Sequence, residues 1–359
     1  MFTKALALVL LLAVAASAEF TARFEDHYDE DLSVTEPAAA IVTQPRVQPA
    51  VGSVTSSAGV VTTPLAASQC PKGYKLAWAD EFDSAATSFP KWNYELYNGA
   101  QYGIPGWGNN EQEWYTNRTD NANVALGKLV ITARTTTEAE RVGCCGEKPC
   151  KTRECRFTSA RLRTYGKYAV APNWQAGSRT IRIAARMKLP VGTGLWPSLW
   201  MLPEQSPANC SGCGAYGAWP SSGAITLGQA VNDIKNVTGG IAYGGAFPKS
   251  VFSNYVSKLK NKEAYHEYVL EWTRRGMKWS LDGKVVHTAR SGQGGTVPNG
   301  WFSSGIGAGP DSPFDQPFHI LVNLAVGGTP TGSPTRTTLA KTLKKPKSML
   351  VDYIRVCQK

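Results

Sequence analysis

Ile181-Arg-Ile-Ala-Ala-Arg-Met-Lys-Leu189 sets Ile181, Ile183, Ala185, Met187 and Leu189 on one side of an extended chain and Arg182, Ala184, Arg186 and Lys188 on the other. Successive side chains of a strand point to opposite faces, so this period of two predicts a strand with one face buried. The same signal recurs more briefly at 129–133, 268–272, 277–281, 320–325 and 349–356. Asp282-Gly283, between Leu281 and Lys284, predicts a two-residue hairpin turn. Glycine (35) and proline (22) punctuate the whole chain, and no segment sustains a long helical period. Many short strands with Gly/Pro turns predict an all-β fold, a jelly-roll sandwich of two antiparallel sheets.

Ahead of these strands the chain changes character. Lys4, an apolar run over 5–16 and the small residues Ala16-Ser-Ala18 have the order of a secretory signal peptide, expected over 1–18. The run is shorter than the roughly 20 apolar residues a membrane helix needs, and no other stretch approaches that length, so no membrane span is expected. Residues 19–69 carry an acidic start and then mostly Ala, Val, Thr, Ser and Pro, which predicts a disordered linker or pro-segment. The folded domain is expected over 70–359, in a protein that is secreted to the extracellular space or cell wall.

Export gives the eight cysteines a meaning. Cys70, Cys144, Cys145, Cys150, Cys155, Cys210, Cys213 and Cys357 suit up to four disulfides in an oxidising compartment. Cys70 and Cys357 bracket the domain, and a bond between them would pin two ends that often lie close together. The insertion cysteines, Cys144 to Cys155, pair among themselves or with Cys210 and Cys213. Cys210-Ser-Gly-Cys213 lacks the second matched pair a zinc site needs. Asn117, Asn209 and Asn236 each begin an N-glycosylation tripeptide.

The net charge is +11, and residues 70–359 hold 35 basic against 20 acidic side chains, a balance of +15. The basic residues are scattered and no nucleic-acid motif accompanies them, so a nucleic-acid partner is not expected. For an exported protein, an anionic or sulfated glycan is the more sensible polyanion. The aromatic inventory points the same way, with 11 Trp and 14 Tyr, many in polar, Gly-rich contexts. Sugar rings present apolar faces and hydroxyl edges, which Trp rings and side-chain amides recognise. Asn109 in Gly106-Trp-Gly-Asn-Asn-Glu111, the pair Trp196 and Trp200, and Trp219 in Trp219-Pro-Ser-Ser-Gly223 are the expected sugar contacts. Four residues apart on a strand, Trp196 and Trp200 share a face.

Leu76-Ala-Trp-Ala-Asp-Glu-Phe82, Thr158-Ser-Ala-Arg161, Gly194-Leu-Trp-Pro-Ser-Leu-Trp-Met-Leu202, Tyr243-Gly-Gly245, Phe314-Asp-Gln-Pro-Phe318, Asn323-Leu-Ala-Val-Gly-Gly328 and Val351-Asp-Tyr-Ile-Arg-Val356 occur in that order. Together with the tryptophan segments they make the chain resemble glycoside hydrolase family 16, in its laminarinase-like, β-1,3-glucan-binding branch, across essentially all of 70–359. The resemblance implies a jelly roll with a glucan-binding groove. It also implies a strand after Gly223 with a nucleophilic Glu, an assisting Asp and an acid/base Glu, the last brought to the same face by a one-residue bulge. Those slots hold Ala224, Thr226 and Gln229. Ala224 has no atom to attack an anomeric carbon, and the Gln229 amide has no proton of suitable pKa to give.

The expected function is therefore a non-catalytic, lectin-like glucan-binding protein, with Gln229 as a further sugar contact and β-1,3-glucan as the default ligand. An active endo-hydrolase or transglycosylase using relocated carboxylates (Asp233, Glu111 or Glu204) is the rival, and a matrix scaffold that binds no sugar is a third reading. No cofactor is required, although the resemblance implies a structural calcium ion near Glu81 and Asp352. The position before Tyr243-Gly-Gly245, where the family usually has His, is Ala242.

Overall fold

A computed structural model describes residues 69–145, 155–172, 180–205 and 212–359; the expected signal peptide and nearly all of the expected linker lie outside the described residues. Eighteen strands are found among the described residues. In chain order they are β1 (Lys75–Asp80), β2 (Asn93–Glu95), β3 (Glu113–Tyr115), β4 (Ala122–Val124), β5 (Leu129–Thr135), β6 (Phe157–Ser159), β7 (Arg161–Arg163), β8 (Ala169–Val170) and β9 (Thr180–Lys188). There follow β10 (Leu195–Pro203), β11 (Ala224–Ala230), β12 (Asn236–Gly244), β13 (Ser250–Lys258), β14 (His266–Thr273), β15 (Gly276–Leu281), β16 (Lys284–Arg290), β17 (Phe318–Val326) and β18 (Lys347–Gln358).

They form two sheets. One runs β16-β15-β14-β9-β18-β5-β6-β3, with β1 added on β18 and β4 on β5; the other runs β13-β12-β11-β10-β17-β7-β2, with β8 added on β17. All pairs are antiparallel except β3 with β6.

The sequence that predicted a half-buried strand is β9, at the centre of the first sheet between β14 and β18. Ile181, Ile183, Ala185 and Met187 face the core, while Arg182 and Arg186 turn outward to Glu267 and Asp352. Trp272, Tyr268, Trp279, Phe314 and Phe318 fill the space between the sheets and are essentially without solvent contact. Large aromatic side chains bury the most apolar area per residue, so this layer carries much of the cohesion of the sandwich.

The Asp282-Gly283 turn joins β15 to β16, and both residues have positive φ (49° and 75°), as a type I′ hairpin turn requires. Three short helices, Ala85–Ser88, Glu138–Cys145 and Arg336–Thr342, had no counterpart in the apolar periodicity. The last is capped by the Thr335 hydroxyl, which accepts from Thr338 N, and is anchored by buried Leu339.

Candidate functional site

The chemistry of the second sheet is set by β11, Ala224-Ile-Thr-Leu-Gly-Gln-Ala230. Strict alternation would put Ala224, Thr226 and Gly228 on one face and Gln229 on the other. Instead the register slips against both neighbours, between Leu199 and Trp200 in the ladder with β10 and between Thr226 and Gln229 in the ladder with β12. Leu227 and Gly228 both turn inward, Leu227 into the core and Gly228 against Tyr268, whose Cδ1 would stand 2.4 Å from any Cβ added there. The expected bulge is thus present, and it brings Ala224, Thr226 and Gln229 to one face. The carbonyls it frees are satisfied: Trp279 Nε1 donates to Thr226 O (3.0 Å) and Tyr255 OH to Leu227 O (2.8 Å).

On that open face Ala224 packs with Leu202, Ala242 and Leu321, against the partly buried rings of Trp200 and Trp219. The cluster is wholly apolar. Two rows away, Gln229 Oε1 accepts from Trp196 Nε1 at 3.1 Å, with Ser198 Oγ at 3.4 Å. Trp200 Nε1 donates to Asn323 Oδ1 (2.9 Å), Asn323 Nδ2 donates to Tyr115 OH (2.9 Å), and Tyr115 OH donates to Glu111 Oε2 (3.3 Å). The Arg161 guanidinium lies 4.1 Å from the Trp107 ring centre and 5.0 Å from that of Trp200, and it pairs with buried Glu95. Trp200 is therefore held from behind by a charged and hydrogen-bonded layer, and Trp196 by the Gln229 amide, which fixes both ring planes.

The residues singled out from sequence divide into two groups. Trp196, Trp200, Thr226 and Gln229 stand together, half-buried, and Trp219 sits at the rim beside exposed Phe252, ring centres 6.2 Å apart. Asn109 is turned away: its amide donates to Glu111 Oε1 (2.9 Å) and to Trp107 O (3.2 Å), holding its own loop.

Of the carboxylates that could take over catalysis, Asp233 is exposed in the turn after β11. Glu111 accepts from Asn109 and Tyr115 and is buried near Glu113, whose Oε2 accepts from Val326 N at 2.6 Å. Burial pushes both carboxyls up, and the neighbouring Glu111 charge raises Glu113 further, so Glu113 keeps its proton above the usual carboxylate range. Buried and held by Asn109, Tyr115 and Val326 N, the two acids are not presented to a glycosidic bond, which in retaining hydrolysis needs two carboxyls about 5–5.5 Å apart on either side of it.

Glu81 and Asp352 each meet cationic groups. Arg355 grips Glu81 through Nε and Nη2 (2.8 and 2.7 Å), and Arg186 Nη1 lies 2.6 Å from Asp352. Such guanidinium partners occupy the oxygens a calcium ion would need, so this pair does not fit the expected site. The Cys70–Cys357 disulfide is formed, Cys155 and Cys213 are also disulfide-bonded, and among the described residues no cysteine is free. Cys150 and Cys210, and the side chains of Cys144 and Cys145, lie outside the described residues, as does Asn209. Asn117 is exposed on a loop, and Asn236 is half-buried at the start of β12. No described helix is long and apolar enough to cross a membrane.

Sequence reasoning missed the supporting layer of Glu95, Arg161, Tyr115, Glu113 and Asn323. The only signal for it was polar residues at the outward positions of otherwise apolar strands, such as Asn323 in Phe318–Val326.

Residues 242–339 match the model of glycosyl hydrolases family 16. A β-glucanase of Rhodothermus marinus is 32% identical over 79% of this chain and 85% of its own length. A glucan endo-1,3-β-glucosidase A1 of Niallia circulans is 33% identical over 84% of this chain, which spans 39% of that longer relative. A β-1,3-glucan-binding protein of Penaeus monodon is 31% identical over 48% of this chain and 47% of its length. Among solved structures, an endo-β-1,3-glucanase from Pyrococcus furiosus superposes with a TM-score of 0.60 at 31% identity, over 79% of this chain and 94% of the other.

Proposed function

Because the chain belongs to glycosyl hydrolases family 16, we propose that its open face binds a β-glucan without hydrolysing it. One observation carries the reading. At the two positions where the resemblance expects facing carboxyls stand Ala224, closed into an apolar cluster, and Gln229, whose amide oxygen accepts from the Trp196 indole. Neither group ionises. General acid catalysis alone contributes roughly 10²–10⁴-fold, and the covalent nucleophile is missing as well.

Binding is supported by what remains. Trp196, Trp200 and Trp219 offer rings to stack on, and Gln229, Asn323 and Ser198 offer hydrogen bonds beside them. The similarity to a protein named for β-1,3-glucan binding, and to several named for acting on β-glucans, favours β-1,3-glucan as the ligand. Disulfides at Cys70, Cys155, Cys213 and Cys357 support an oxidising, extracellular or cell-wall location.

Isothermal titration against laminarin and against a sulfated galactan tests the reading. Saturable heat with laminarin is expected; no heat with either polymer would leave the non-binding scaffold as the better account.

A further inference from the structure

The open face has a second polar centre that the emptied strand does not explain. His319 lies on the outward side of β17, between the core residues Phe318 and Ile320. It is paired with Leu202, which packs against Ala224. Its side chain is 2% exposed, and neither ring nitrogen has a hydrogen-bond partner. Glu204, two residues beyond Leu202, brings Oε2 to 3.3 Å from His319 Nδ1 without the alignment of a hydrogen bond. That oxygen is buried and unpartnered, whereas Oε1 accepts from Gly166 N at 2.7 Å. Arg163, in the next row opposite Leu321, gives Nη1 to Glu95 (2.7 Å) and keeps Nε buried without a partner. The Tyr165 ring flanks the centre, edge-on to His319 at 5.3 Å and beneath the Arg163 guanidinium at 4.8 Å.

Buried polar atoms are nearly always hydrogen-bonded, to water where the protein supplies no partner, so four that lack a protein partner side by side offer a ligand hydrogen bonds that water would otherwise make. The chemistry of the cluster says what fits. Burial lowers the His319 pKa, so the ring is neutral and offers one donor and one acceptor. Glu204 Oε2 accepts and Arg163 Nε donates. The charges of Arg161 and Arg163 balance those of Glu95 and Glu204, which leaves no attraction for an anion. Neighbouring hydroxyls, each at once donor and acceptor, match this set. His319 stands two strands from Ala224, about 10 Å across the sheet at ~4.8 Å per strand, so the group it meets belongs to a different ring from the one over Ala224.

We propose that His319, Glu204 and Arg163 form a hydroxyl-binding subsite for a neutral sugar residue of the glycan, beside the position over Ala224. This rests on the glycan-binding reading and sharpens it by choosing a neutral over a sulfated polymer.

The test is titration of the full chain and its Glu204→Gln, His319→Phe and Trp196→Ala variants with laminarihexaose and with a sulfated laminarin fragment. Glu204→Gln keeps an acceptor for Gly166 N, and unfolding temperatures check that each variant folds. The subsite predicts that Glu204→Gln and His319→Phe each weaken hexaose binding about tenfold or more. It also predicts that the sulfated fragment binds the wild-type chain more weakly than the hexaose, by a margin that narrows in Glu204→Gln. Wild-type affinity for the hexaose in both variants, with Trp196→Ala still weakened, would show a water-filled structural pocket and overturn the subsite alone. Absence of binding by the wild-type chain would overturn the groove reading and the subsite together.

Discussion

Trp196 and Gln229 make the most direct claim on a ligand at the level of single residues, because each holds the other in place through the indole–amide hydrogen bond. Trp196→Ala removes a stacking surface and frees the amide, and about a tenfold loss of laminarin affinity by titration is expected. Glu113 makes a different prediction. Its folded pKa is raised, first by burial and then by Glu111, so its stabilising contribution is complete below the ordinary glutamate value and is lost as pH rises through the folded value. Glu113→Gln imitates the protonated acid and keeps an acceptor for Val326 N. It should unfold at a higher temperature than the wild type at neutral and alkaline pH, with the gap closing toward about pH 4. Calorimetry across that range decides it; a gap that widens on acidification contradicts the raised Glu113 pKa. Ala224, Thr226 and Gln229 could be read from sequence because they follow one another on a single strand. The Glu111–Glu113 pair and the His319 centre could not, since each depends on which residues of separate strands lie side by side.

At the level of the element, the bulge in β11 decides the site. Gly228 allows it, because any side chain there would strike Tyr268, and Gly239 leaves room for the carbonyl of Thr226, 2.8 Å from where its Cβ would stand. Gly228→Ala should destabilise the domain by about 1–3 kcal/mol through overpacking and weaken glucan binding by turning Gln229 from its place. Tyr255→Phe leaves Leu227 O without its donor, at a cost of about 1–3 kcal/mol, readable as a lower denaturant midpoint. Strand runs at 181–189, 268–272 and 320–325 were legible because apolar alternation survives in them. The parallel β3–β6 pairing and the helix Glu138–Cys145 were not, because a three-residue strand and a polar insertion carry too little periodicity to register.

Across the whole domain, Cys70–Cys357 ties the first strand to the last, with Leu76 beside Cys357 in the β1–β18 ladder. Closing a loop of 287 residues' separation constrains the unfolded chain strongly, so replacing both cysteines by alanine should cost roughly 2–5 kcal/mol, seen as a lower unfolding temperature. That bond was legible because bracketing cysteines sit at the two ends of one domain; the remaining pairings were not, since nothing in their spacing separates the alternatives. The same domain-wide frame presents aromatic rings and amides on one open face, with Ala224 and Gln229 at the positions where the family resemblance expects carboxyls. Chromatography of laminarihexaose after prolonged incubation with saturating wild-type protein tests this most directly. The account predicts that the hexaose is recovered intact; shortened or transferred glucosyl products, absent from a protein-free control, would contradict it.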